Sequence, residues 1–223
     1  MDPVPIDSWS EAAHAPIDVL LIVVNDNEFR PVYEILSEPK RADSGTVLGN
    51  VYFGTIGKNR VALVKSGQGA GGKTGTQAIL TSALKKLKSE AVICVGICFG
   101  MNRTKQKCAD VLVSKMLSTY APCRHNRDGS VFSRGVTVEC NGRLVRLFID
   151  GKVGWKGPCP DQIKPDIQSG LIISGPELLD NKDRKEQMKM YPEALGGEME
   201  GFGKKTMTRG IFPLLEEGRG VSV

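Results

Sequence analysis

The sequence predicts an α/β fold built on a mixed sheet, and three observations carry that prediction. Apolar runs at 17–24 and 91–96 are continuous rather than alternating, the signature of strands buried on both faces. Between them, residues 74–88 place Ala78, Ile79, Ala83, Leu84 and Leu87 on one side of a helix. Ahead of that helix, 45–64 reads as antiparallel strands, which makes the sheet mixed.

The first strand, 17–24, ends in Asn25-Asp26-Asn27-Glu28-Phe29-Arg30, a polar loop with helix-capping residues, and a helix follows through about Leu36. Polar groups beyond the C-terminal end of a buried strand occupy the usual ligand edge of an open α/β sheet, although capping alone accounts for them equally well. Next, Thr46-Val47-Leu48, Val51-Tyr52-Phe53 and Val61-Ala62-Leu63-Val64 read as strands, with a tight turn at Gly57-Lys58-Asn59-Arg60. The strand at 91–96 exits into Gly96-Ile97-Cys98-Phe99-Gly100, and Asp110-Val111-Leu112-Val113-Ser114 is a further short strand. Residues 119–135 read as an irregular loop, and 136–140 with 144–149 as a hairpin around Asn141-Gly142. After a Gly- and Pro-rich loop at 152–165, Leu171-Ile172-Ile173-Ser174-Gly175 is a strand with a glycine exit. A helix is expected over 181–190, stopped by Pro192, and no clear buried strand follows Glu200.

Composition narrows the function classes. Charged residues make up 25% and hydrophobic residues 40%, the balance of a soluble globular protein. A net charge of +5 spread along the chain, with 6% aromatics, does not make a nucleic-acid surface. No apolar run reaches the roughly 18 residues of a membrane span, and 1–16 lacks a signal-peptide pattern, so a cytoplasmic protein is expected. The six cysteines form no CxxC pair and there are two histidines, which points to reduced thiols and no metal site.

The stretch Ser66-Gly67-Gln68-Gly69-Ala70-Gly71-Gly72-Lys73-Thr74 satisfies both GxxxxGK[ST] and GxGxxG. A triphosphatase would use Lys73 for phosphates and Thr74 for magnesium, but also needs an acid at the end of another buried strand. Cys94-Val95-Gly96 lacks one. A dinucleotide site needs an acid after the next strand, and Glu90 precedes it.

Five strand exits remain: Glu28, Gly67 to Gly72, Gly96 to Gly100, Ser174-Gly175, and Gly196-Gly197-Glu198-Met199-Glu200-Gly201. In this order they resemble the nucleoside phosphorylase and nucleosidase superfamily over residues 17–201. The resemblance implies a three-layer αβα sandwich with a mixed central sheet, in one domain over 17–223 behind an N-terminal tail at 1–16. It also implies cleavage of the N-glycosidic bond of a purine ribonucleoside by a homo-oligomer, with no cofactor. Glu28 would activate the attacking water, and Glu200 would bind the ribose and stabilise the oxocarbenium-like sugar. Met199 would pack on the ribose, Gly67 and Gly69 would line the sugar side, and Phe99, Leu178 and Leu179 would form the base pocket. Arg30 falls where phosphorylases carry a phosphate-binding Arg.

Against phosphorolysis, Cys94 and Ile97 stand where hexameric-type phosphorylases carry an Arg and a Ser, and neither neutralises a buried phosphate. The ending departs from the family, which follows Glu-Met-Glu with a further strand and a leaving-group Asp. Here no Asp follows Asp183, so 202–223 reads as divergent or truncated, without the family's last strand and helix. Two alternatives follow: a catalytically impaired nucleoside-binding module, and a triphosphatase using Lys73 and Thr74.

Overall fold

The computed structural model describes residues 4–5, 9, 15–69, 71–102, 104–120, 123–128, 131–155, 165–175, 190–199 and 209–213. They fall into two units, Met1–Gly96 and Ile97–Val223.

In the first unit the strands are β1 (Val4–Pro5), β2 (Ile17–Val23), β3 (Ser37–Asp43), β4 (Asn50–Ile56), β5 (Asn59–Lys65) and β6 (Ser89–Val95). Their order is β1-β3-β4-β5-β2-β6. β2 lies parallel to both β5 and β6, with Leu20 between Ala62 and Val92, so both of its faces are covered and its apolar run is continuous. β3, β4 and β5 form an antiparallel meander.

Helix α1 (Asp26–Glu34) lays Phe29 against Tyr52, with ring centroids 5.0 Å apart. Helix α2 (Thr76–Lys86) packs Ile79, Leu80 and Ala83 into the core that holds Phe53. Tyr52 and Phe53 are neighbours on β4 and point to opposite faces, so the two helices cover opposite faces and this unit has three layers. Part of the expected tail also packs here. Val4 pairs with Lys40, and the Trp9 ring sits 6.0 Å from that of Phe53 with Lys86 above it.

Two expectations in this unit are corrected. Thr46-Val47-Leu48 lies in a turn, where Ser44 N–H donates to Gly49 O at 2.9 Å, the Ser44 and Thr46 hydroxyls pair at 3.0 Å, and Val47 is exposed. The strand beside β4 is instead β3, whose Ser-Glu-Pro-Lys-Arg-Ala-Asp sequence buries only Ala42 and shows no apolar pattern.

The second unit holds β7 (Phe99–Gly100), β8 (Val111–Thr119), β11 (Thr137–Glu139), β12 (Ile167–Ser174), β13 (Ala194–Glu198) and β14 (Arg209–Pro213). A separate hairpin pairs β9 (Cys123–His125) with β10 (Val131–Ser133), inside the stretch expected to be irregular. β12 runs parallel between β8 and β13, and β7 closes on β13 antiparallel. The other edge of β8 is shared end to end by β11 and β14, both antiparallel. β14 is a strand beyond residue 201, where none was expected.

The hairpin expected around Asn141-Gly142 is also corrected. β11 precedes it, but Gly142–Asp150 is helix α3, with Leu144 N–H bonded to Asn141 Oδ1 at 3.1 Å. Val145, Phe148 and Ile149 recur at helical spacing and pack on Leu117 and Ile172. The side-chain oxygen that suits Asn to a tight turn also suits it to an N-cap.

Candidate active site

Each of the two units presents its own strand exits. In the first, the chain leaves β2 through Val24 and Asn25 and enters α1 through a capping box. Asn25 Oδ1 accepts Glu28 N–H at 3.0 Å, while Glu28 Oε2 accepts the N–H groups of Val24 at 2.8 Å and Asn25 at 3.4 Å. Glu28 is thereby buried, at 9% exposure, with its carboxylate turned back to the strand end. Beside it, Lys65 at the end of β5 bonds Asp26 at 2.5 Å. That ammonium holds Asp26 below the usual carboxylate range, and Arg30, exposed on α1, adds to the effect.

The glycine stretch leaves β5 next to this corner. Ser66 N–H donates to Val23 O at 2.8 Å, and the Ser66 and Thr76 hydroxyls pair at 3.1 Å. Gly67 N–H donates to Thr74 O at 2.8 Å, and Thr76 N–H to Gly69 O at 3.2 Å. Gly69 has φ +79°, a left-handed conformation that favours glycine. The loop therefore turns these N–H groups inward, and α2 begins at Thr76, two residues past Thr74. A P-loop would start its helix on the Lys-Thr pair and aim its amides at phosphate, so this geometry disfavours the triphosphatase.

In the second unit, β8, β12 and β13 end side by side, with Thr119, Ser174 and Glu198 in register. Side chains in register share a face of a parallel sheet. All three are buried, at 6%, 0% and 3% exposure. Among the described residues, the Ser174 hydroxyl finds no hydrogen-bond partner. Cys98, 4% exposed, lies near this group; burial first, and then the Glu198 charge, push its thiol well above the ordinary value of 9.0.

Phe99 lies on the other face and accounts for the Gly-Gly of the last motif. A Cβ on Gly197 would stand 2.3 Å from the Phe99 ring, and one on Gly196 would stand 2.5 Å from the Phe99 carbonyl oxygen. At the next exit, a Cβ on Gly175 would lie 2.1 Å from the Tyr120 ring. Asp110, 1% exposed, ties the start of β8 to the start of β12 by accepting from Asp166 N at 2.7 Å, Lys107 N at 2.9 Å and Gln168 Nε2 at 3.2 Å.

Of the expected site residues, Glu28, Arg30, Gly67 and Gly69 stand at neighbouring exits of the first unit. Phe99 and Met199 stand at exits of the second, with Met199 directly after β13. Leu178, Leu179 and Glu200 lie outside the described residues. Glu198 and Ser174, expected only as strand exits, form with Thr119 a buried polar group that the sequence does not announce; the signal is a polar residue ending each of three apolar strands. Among the described residues no three His, Cys, Asp or Glu side chains gather as a metal site, and no helix is long and apolar enough to cross a membrane.

Parallel buried strands that end in glycines and held carboxylates define an α/β protein, a class whose open sheets take ligands at the C-terminal edge of the strands. The chain belongs to the phosphorylase superfamily, whose family model matches residues 18–203. A curated relative, the death domain-containing ATP nucleosidase of Amphimedon queenslandica, is 27% identical over 213 residues, covering 84% of this chain and 39% of the relative. The chain thus spans about two fifths of that relative's length.

Solved structures share the fold. The 5'-methylthioadenosine/S-adenosylhomocysteine nucleosidase of Neisseria meningitidis, in complex with methylthio-immucillin-A, superposes with a TM-score of 0.69 at 18% identity, covering 88% of this chain and 84% of that one. A futalosine hydrolase mutant from Helicobacter pylori gives 0.67 at 17% identity, covering 90% and 91%. The predicted α/β class and the superfamily are therefore both established.

Proposed function

We propose that this chain cleaves the N-glycosidic bond of a purine ribonucleoside, with water rather than phosphate as the attacking group. The observation that carries the reading is Glu28, buried at the exit of a central parallel strand with its carboxylate held by two backbone N–H groups. A carboxylate fixed at a strand end suits a general base, which typically contributes about 10²–10⁴-fold. In the proposed reaction Glu28 takes a proton from water as the oxygen bonds to C1' of the sugar. The C1'–N bond breaks and its electron pair leaves with the base. Glu200 stabilises the positive charge that builds on the sugar, and Met199 packs on the ribose.

Gly67 and Gly69 form the sugar wall of this proposal, and Phe99, Leu178 and Leu179 the base pocket. Hydrolysis is favoured because Cys94, 2% exposed near the end of β6, supplies no cation for a phosphate. The base takes up a proton as it departs; no Asp follows Asp183 in these 223 residues. Assembly as a homo-oligomer in the cytoplasm belongs to the same proposal.

The likeness to an ATP nucleosidase favours a second reading, in which the substrate carries a 5'-phosphate chain. Both are tested by incubating the purified protein with adenosine, inosine, guanosine, methylthioadenosine and ATP, with and without phosphate, and separating free base by chromatography. Base release without phosphate supports hydrolysis, and release from ATP alone supports the second reading. Release that requires phosphate contradicts the hydrolytic proposal. Ligand-induced stabilisation with no release makes the chain a binding module.

A further inference from the structure

We infer that Asn25 is a positioning residue for Glu28. The inference rests on the proposed role of Glu28 as base and adds how the fold aims it.

Two bonds join Asn25 and Glu28, and a third joins Val24 to Glu28. Asn25 Oδ1 accepts Glu28 N–H at 3.0 Å, Asn25 N–H donates to Glu28 Oε2 at 3.4 Å, and Val24 N–H donates to the same oxygen at 2.8 Å. The first fixes where the Glu28 backbone enters the helix. The other two fix which way its carboxylate turns, so the Asn25 side chain sets where the group starts and the strand-end N–H groups of Val24 and Asn25 set its direction. Phe29 N–H, bonded to Asn25 O at 2.9 Å, begins the helical ladder from the same residue.

The rest of α1 cannot take over this task. The helix has nine residues, and Pro31 within it has no N–H to give to the Asn27 carbonyl. Helices this short draw little stability from their own hydrogen bonds. The capping box is therefore what registers α1 against the end of β2. Its acceptor is an uncharged amide, which adds no second negative charge beside the carboxylate.

Capping and positioning are separable, because glycine is tolerated at an N-cap almost as well as Asn yet carries no acceptor. In the nucleosidase assay, Asn25→Gly should keep a cooperative melting transition and lose on the order of 10²-fold in kcat, the loss typical of a small misplacement of a reacting group. KM should stay within about twofold, since an interaction that serves only the transition state leaves substrate binding alone. Asn25→Ser, which restores an uncharged acceptor, should recover most of kcat.

Glu28→Gln is the control for the underlying reading, because glutamine can fill the third position of a capping box but cannot act as base. If Glu28→Gln is inactive while Asn25→Gly turns over at the wild-type rate, positioning by Asn25 is overturned and the base assignment stands. If Glu28→Gln keeps the wild-type rate, the base assignment fails and the inference falls with it. A purely structural cap would instead show as a lower melting temperature of Asn25→Gly, with Asn25→Ser near wild type, and no separation of their kcat values, and that result also overturns the proposal.

Discussion

The Glu198 carboxylate reaches Cys98 electrostatically inside the second unit, and with burial it keeps that thiol protonated far above the ordinary range. Two buried groups from β13 and the segment leading into β7 thus share one patch at the sheet's C-terminal edge. Their closeness in space was hidden by a hundred residues of sequence.

Thiol labelling tests this relationship. In the native protein at pH 8, Cys98 should resist iodoacetamide, while the half-buried Cys108 should react before the buried Cys94, Cys98 and Cys140. Measurement is by peptide mass spectrometry. The sign for stability follows from the raised folded-state pKa. The contribution of the protonated thiol is fully present below about pH 9, where unfolded thiols begin to ionise, and is lost as pH rises toward the folded value. Cys98→Ala should therefore lose less stability than wild type between pH 8 and pH 10 in urea titrations.

Ser174→Ala should leave the apo protein as stable as wild type or raise its stability by about 1 kcal/mol. It removes a fully buried hydroxyl that has no partner among the described residues. Chemical denaturation measures the difference. A loss above about 1 kcal/mol would mean that the hydroxyl holds a fixed water.

Asp110→Ala should be costly, by about 3 kcal/mol or more, because three donors to one buried carboxylate lose their acceptor. The denaturation midpoint should fall strongly. An unchanged midpoint would show that the tie between the starts of β8 and β12 is dispensable.

Gly197→Ala should distort the approach of Phe99 to β13, since the added methyl meets the ring at 2.3 Å and Ile173 at 3.0 Å. The overpacking is expected to cost about 1–3 kcal/mol. If Phe99 belongs to the base pocket, KM for the nucleoside should rise as well. Gly197→Ala combined with Phe99→Leu should recover part of the stability but not the affinity.

The fold was legible wherever burial imposes a pattern on the sequence. β2 and β6 announced themselves because strands covered on both faces need unbroken apolar runs, and α2 because one face of it meets the core. β3 was not legible, since its backbone pairs on both edges while almost every side chain stays in water. α3 was mistaken for a strand because Asn-Gly serves a turn and an N-cap with the same chemistry, and nine residues are too few for the helical period to dominate. Glu28 could be placed at a strand exit from sequence, but its reciprocal bonds with Asn25 could not. They depend on where the strand stops, and boundaries are set by hydrogen bonds rather than by composition. Glu198 and Ser174 were quoted within motifs, yet their burial comes from strand register across β12 and β13, which no local pattern encodes.

In the proposed reaction a held carboxylate at the end of β2 drives hydrolysis of a glycosidic bond. The most direct measurement is phosphate-free release of purine base by wild type and by Glu28→Gln, each checked for an unchanged melting transition. The expected result is release by wild type and a loss on the order of 10²–10⁴-fold in the variant, with folding intact because glutamine keeps the cap. Wild-type release that survives in Glu28→Gln, or no release from any nucleoside or nucleotide, would contradict it.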